Sequence, residues 1–182
     1  LGERQLPFGR ELWIEQDDFM EEAPRKFFRL RPGGEVRLRY GYIIQCVDLR
    51  KDADGRVTEV HCTYDPETRS GMSGAERKVK GTIHWVSAAH AVRAEVRLYD
   101  RLFGISRPEG QEADFKTFLH PESLRVEREA MLEPSLAAAA PGTVLQFERL
   151  GYFVADRVDQ RPDRPVFNRV VTLRDSWAQL EV

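Results

Sequence analysis

The sequence predicts a mainly β protein, and three observations carry that reading. Apolar and polar residues alternate along several short runs rich in Val, Ile, Leu and Tyr, the period-2 signature of half-buried strands. Turn signals containing Gly, Pro or Asp separate these runs at short intervals, the pattern of barrels or sandwiches. Helical periodicity is confined to brief segments.

Taken along the chain, Asp17 to Glu22 has an acidic start and is ended by Pro24, which predicts a short helix. Glu35 to Leu49 and Arg56 to Tyr64 alternate as strands around Asp52-Ala53-Asp54-Gly55, a turn whose glycine can take a positive φ. This hairpin sets Cys46 opposite Cys62. Arg69 to Glu76, with its Gly and Ser residues, reads as a mobile loop. Further strands are expected at Lys78 to Ser87, Ala94 to Leu102, Ser123 to Ala130, Thr143 to Leu150, Tyr152 to Arg157 and Val166 to Leu173. Asp114 to Leu119 and Leu136 to Ala140 read as a helical turn each, the second stopped by Pro141-Gly142. Pro108 to Gly110 and Gln160 to Arg164 read as loops.

Composition bounds the function. At 182 residues the chain suits one large or two small domains, and its 41% hydrophobic content can build a core. No apolar run approaches the ~20 residues that span a bilayer. No apolar stretch follows Leu1 to Gln5, so no signal peptide is read, and a cytoplasmic location is expected. The first residue is not Met, which is the expectation for a piece of a longer chain. Cys46 and Cys62 lack metal-ligand spacing and read as reduced structural thiols. No metal site is expected.

The net charge of −2 does not announce a polyanion binder. Charge is nevertheless segregated: Arg25, Lys26, Arg29, Arg31, Arg37 and Arg39 lie close together, while acids gather at Glu15 to Glu22 and Asp48 to Asp54. Such a cluster acts on a polyanion locally, although a solvated charged face has the same look. Arg37-Leu38-Arg39 on a strand puts both guanidiniums on one face and Leu38 in the core. His84, His90 and His120 stand beside no marked nucleophile. No glycine-rich loop joins a strand to a helix, so no catalytic site is expected.

The run Gly81 to Phe103 (GTIHWVSAAHAVRAEVRLYDRLF) is the most specific stretch. With Gln5-Leu6-Pro7-Phe8, Glu35 to Arg39, Cys62 to Asp65, Pro121 to Leu124, Gln146 to Arg149 and Pro165 to Arg169, it resembles the C-terminal anticodon-binding region of glutaminyl-tRNA synthetases. The resemblance runs from about Arg4 to Trp177. It implies two antiparallel six-stranded β-barrels, a distal one over Glu11 to Val92 and a proximal one over Leu1 to Arg10 with Arg93 to Val182. The proximal barrel is expected to be discontinuous and incomplete, since the family's first proximal strands precede Leu1. The nucleotide motifs of the family's catalytic domain, His-Ile-Gly-His-like and Lys-Met-Ser-Lys-Ser-like, do not occur here. The resemblance therefore implies no cofactor in this chain, with ATP and Mg²⁺ serving the parent enzyme's catalytic domain.

The implied partners are the anticodon loop of tRNA(Gln) and that catalytic domain, with no membrane and no DNA. Carried over residue by residue, Arg29 matches a reader of the third anticodon base, and Arg37 and Arg39 match a pair serving the first base and its phosphate. Gln146 and Arg149 match residues holding the middle base, and Ser176 a hydroxyl near that pocket. Three positions depart from the family pattern: Lys26 stands where Gln is expected, Phe28 where Lys is expected and Tyr40 where Asn is expected. Lys26 brings a charge in place of an amide, and Phe28 and Tyr40 become candidates for stacking on a loop base. Phe28 equally suits a core position, and Gln146 an ordinary exposed strand site. A glutamyl-tRNA synthetase region, a scaffold and a non-specific single-strand RNA barrel are the alternative readings.

Overall fold

The computed structural model describes residues 3–69 and 71–173. Its strands are β1 (Leu12–Trp13), β2 (Glu35–Leu38), β3 (Ile43–Lys51), β4 (Val57–Asp65), β5 (Thr82–Ile83), β6 (Val86–Ser87), β7 (Val92–Tyr99), β8 (Leu124–Leu132), β9 (Val144–Phe147), β10 (Gly151–Ala155) and β11 (Val166–Thr172). The mainly β class follows. The helical segments are 3₁₀ turns: Gln16–Asp18, Pro66–Thr68, Pro108–Gly110, Phe115–Phe118 and Pro134–Ala138. None of the described helices is long and apolar enough to cross a membrane. Two compact units are present, Phe8–Ser87 and, together, Leu1–Pro7 with Ala88–Val182.

In the Phe8–Ser87 unit the strands run in the order β4-β3-β2-β5, and β1 pairs with β6. The β3–β4 hairpin pairs Cys46 with Cys62, as the alternation predicts. Both are free thiols, and burial pushes the Cys46 thiol up. Asp52 organises the turn: its carboxylate accepts the Asp54 and Arg56 N–H groups, and Gly55 takes φ +80°. Past Cys46 the register shifts, leaving Val47 as an exposed extra residue. A bulge of this kind bends and twists a strand, and from there outward the ribbon leaves the core.

That core is Leu30, Val36, Leu38, Ile43, Ile44, Cys46, Ile83, Trp85 and Val86, all buried. Glu35 to Leu49, expected as one strand, is two strands with a tight reversal between them. The Leu38 N–H donates to Tyr42 O and the Gly41 N–H to Leu38 O, each at 2.8 Å. Lys78 to Ser87 likewise divides into β5 and β6 around His84. Thr82–Ile83 lies parallel to Arg37–Leu38.

In the other unit the order is β8-β7-β11-β10-β9, with β7 and β11 parallel. Neither multi-stranded sheet closes on itself among the described residues. The core stacks Phe147 on Phe153 (centroids 4.2 Å apart) and sets Phe167 edge-on to Phe147, over Ala94, Val96 and Ala155. Arg4 ties the first segment to this unit through Glu133, 2.7 Å away. Parallel strands cannot be joined by a tight turn, so the long excursion from β7 to β11 through β8, β9 and β10 precedes their pairing.

A charged network holds β7 to the strands and loop around it. Arg97 bonds Glu95 at 2.8 Å, Asp159 at 2.7 Å and Asp156 at 3.3 Å, while Arg128 and Arg164 also reach Glu95. The Arg97 hydrogen bond holds the Glu95 carboxyl below the usual range, against its own burial, with Arg164 and the nearby charges adding to the shift. The Asp156 carboxyl is lowered too, first by the Asp159 N–H, then by Asn168 and the Val158 N–H.

A carboxylate whose pKa is depressed in the folded state stabilises it above the unfolded value, and that contribution is lost as pH falls through the folded one. We expect the urea midpoint to fall between about pH 5 and about pH 3, and the fall to be smaller in Glu95→Gln. An equal fall in both proteins would exclude Glu95 as a source of the acid sensitivity.

Candidate nucleic-acid interface

Val36 and Leu38 are buried while Arg37 and Arg39 lie half-buried between and beyond them, so the alternation holds. The two guanidiniums have different surroundings. Arg37 faces backbone. One terminal nitrogen donates to Thr68 O at 2.6 Å and Gly41 O at 3.4 Å, and the other to Arg77 O at 2.8 Å and Ala75 O at 3.1 Å. Charge-assisted bonds of this kind are stronger than neutral ones. They fasten Thr68 to Arg77 onto the β2–β3 reversal, in the stretch the composition presents as mobile. Thr68 Oγ1 adds to this by accepting the Ile43 N–H, and Arg77 pairs with Glu35 at 2.7 Å.

Arg39 lies one residue past β2. Its N–H donates to Ile83 O and its carbonyl accepts the Trp85 indole N–H, both at 2.9 Å. Its guanidinium lies 4.9 Å from the centre of the Tyr40 ring. Arg29 bonds Asp17 O at 2.8 Å and pairs with Asp18 at 3.2 Å. The Asp18 carboxylate is buried, and a buried charge requires a partner, so Arg29 has a structural duty besides any contact with RNA. Lys26 and Phe28 are exposed. Lys80 stands 5.7 Å from the Phe28 ring centre, within cation–π range. Exposure decides between the two readings of Phe28: it is a surface residue.

Gly81 brings these segments together. Its carbonyl accepts the Arg37 N–H at 2.9 Å, and a Cβ placed on it would drive into the Phe28 carbonyl oxygen. Lys26, Phe28, Arg29, Arg37, Arg39 and Tyr40 therefore share the Phe8–Ser87 unit around this approach. The sequence reading missed Gly81 as a packing position, Asp18 as the counter-charge of Arg29, and Lys80. A glycine between Lys80 and a β-branched strand was a visible sign of close backbone approach.

Gln146 and Arg149 belong to the other unit. Gln146 is an exposed residue of β9 opposite Tyr152. Arg149 is exposed at the β9–β10 reversal, where the Leu150 N–H donates to Phe147 O, and its φ is +71°. Tyr40, at +61°, is the other described non-glycine residue with positive φ. Ser176 lies outside the described residues.

The family described as "tRNA synthetases class I (E and Q), anti-codon binding domain" matches twice, one of its models over residues 1–65 and a second over residues 82–156. A glutamine–tRNA ligase of Ralstonia nicotianae is 57% identical over 180 residues, covering 98% of this chain and 31% of that protein. Glutamine–tRNA ligases of Bordetella avium (57% over 178 residues, 97% of this chain and 30% of that protein) and Cupriavidus metallidurans (57% over 180 residues, 98% and 31%) match similarly. The chain thus spans less than a third of these relatives.

The Arg37 geometry makes a direct prediction. Arg37→Lys keeps the charge but loses the planar fork, so amide hydrogen exchange should accelerate across Thr68 to Arg77 by about tenfold or more. Unchanged exchange there would show that these four bonds do not hold the segment.

Proposed function

The chain belongs to the anticodon-binding domain family of class I tRNA synthetases for glutamate and glutamine, and we propose that it selects tRNA(Gln) for a glutamine–tRNA ligase. The observation that carries this reading is the near-complete coverage of the chain, at 57% identity, by proteins named glutamine–tRNA ligase. The resident chemistry suits recognition. An anticodon loop offers unpaired base edges and phosphates, and arginine can bond either in a fork or stack on a base.

In this reading Lys26 and Arg29 approach the third anticodon base and its phosphates. Arg39 takes the first base and its phosphate. Arg37 serves the same contact from behind, since its guanidinium grips the carbonyls that shape the β2–β3 reversal. Gln146 and Arg149, with Ser176, hold the middle uridine: the Gln amide can pair with a uracil edge, and Arg with a carbonyl oxygen.

In the longer, cytoplasmic protein, a catalytic domain would use ATP and Mg²⁺ to join glutamine to the bound tRNA. This chain's part is to bind and orient the anticodon end.

Binding of the chain to tRNA(Gln), to the same tRNA with its middle anticodon base changed, and to tRNA(Glu) at two salt concentrations tests the reading. We expect tRNA(Gln) to be preferred at both salts, and Arg39→Ala to cost about 1–3 kcal/mol with discrimination relaxed at the first base. Equal and steeply salt-dependent binding of all three RNAs would reduce the surface to a phosphate grip. Preference for tRNA(Glu) would transfer the function to glutamate.

A further inference from the structure

The reversal between β2 and β3 has a feature that the reading of Arg39 does not require. Resting on the anticodon-loop reading above, we propose that Tyr40 and Arg39 form a ready-stacked platform for one unpaired nucleobase, retained at a cost in backbone strain. Tyr40 has φ +61°, the left-handed region where a Cβ crowds the following carbonyl, and where Gly, Asn and Asp are the comfortable residues. Gly41 comes next in the chain but is used otherwise. A Cβ on it would stand 3.3 Å from the Leu38 side chain and 3.5 Å from the Trp85 ring, so this glycine serves close packing and the positive φ falls on tyrosine. Residues held in such conformations by their surroundings cluster at ligand-binding sites.

The surroundings here do fix the geometry. The Arg39 backbone is bonded to Ile83 and to the Trp85 indole. Its guanidinium lies 4.9 Å from the Tyr40 ring centre, and Nη2 donates to the phenol oxygen at 3.2 Å. Tyr40 remains 51% exposed. The guanidinium thus occupies one side of an aromatic ring that still offers open surface to solvent. A base stacking there gains ring contact without paying to order either side chain, because they already restrain each other. The positive charge behind the ring also favours the phosphate that accompanies any nucleotide. Stacking accepts every base, since each has a π-face. The platform therefore adds affinity, whereas edge contacts supply the choice of base.

The test uses Tyr40→Asn, Tyr40→Phe and Arg39→Ala in this chain. The readouts are thermal midpoint, affinity for tRNA(Gln), and fluorescence of a purine analogue placed in the anticodon loop. Asn accepts the left-handed turn, so Tyr40→Asn should raise the midpoint by a few degrees while weakening binding about tenfold. Tyr40→Phe should keep both affinity and the fluorescence quenching that stacking produces, and Tyr40→Asn should lose the quenching. A Tyr40→Asn variant that binds and quenches like the parent, while Arg39→Ala binds weakly, overturns the platform and leaves the anticodon reading intact. Weaker binding without a higher midpoint overturns the claim of retained strain. Failure of the parent chain to prefer tRNA(Gln) removes the reading on which the platform rests.

Discussion

Much of the candidate surface depends on the bare backbone of Gly81. Its Cα faces the Phe28 carbonyl with no room for a side chain, and the Val36 side chain closes it from another side. On its far side the Gly81 carbonyl accepts the Arg37 N–H. One residue without a Cβ therefore lets the Lys26–Arg29 segment lie against the start of β5, and lets β5 pair in parallel with β2. Parts of the chain some fifty positions apart meet there. Arg37 completes the construction by drawing the carbonyls of Thr68, Ala75 and Arg77 under one guanidinium. β2 thus supplies, at Arg37, a cation that binds the carbonyls shaping the surface, and the residue just past its end, Arg39, a cation beside an exposed ring.

This division of labour explains how a chain with net charge −2 can present a site for a polyanion. Several cations are spent internally, Arg77 on Glu35 and Arg97 on Glu95, Asp156 and Asp159, while Arg29 also pairs with buried Asp18. On the proposed reading, RNA is recognised through local placement and planar geometry, not bulk charge. Stacking and forked bonds tolerate salt better than simple phosphate neutralisation does.

The sequence made the local pattern legible and left the tertiary one hidden. Cys46 opposite Cys62 was readable, because hairpin register follows from a recognisable turn. The burial of Leu38 was readable from period-2 alternation. The break after Leu38 was not, since the left-handed position falls on Tyr40, no turn residue, and not on the glycine that follows it. Parallel pairing of β2 with β5 and of β7 with β11 has no local signal, because it joins segments distant along the chain. Gly and Ser in Arg69 to Glu76 read as a loop, whereas the Arg37 bonds to the Thr68, Ala75 and Arg77 carbonyls join residues distant along the chain and leave no local signal. The family resemblance located the candidate residues; only the geometry distinguished Arg37 facing inward from Arg39 beside an exposed aromatic ring.

On the proposed reading, the Lys26 to Tyr40 surface of the Phe8–Ser87 unit contacts the anticodon loop, and the β9–β10 reversal of the other unit separately contacts its middle base. Photo-crosslinking of the chain to tRNA(Gln) carrying a reactive uridine analogue in that loop, followed by peptide mapping, addresses it most directly. The account predicts crosslinks in the Lys26 to Tyr40 and Gln146 to Arg149 peptides, lost on competition with unmodified tRNA(Gln). Crosslinks confined to the outer β3–β4 ribbon or to β8 would contradict it.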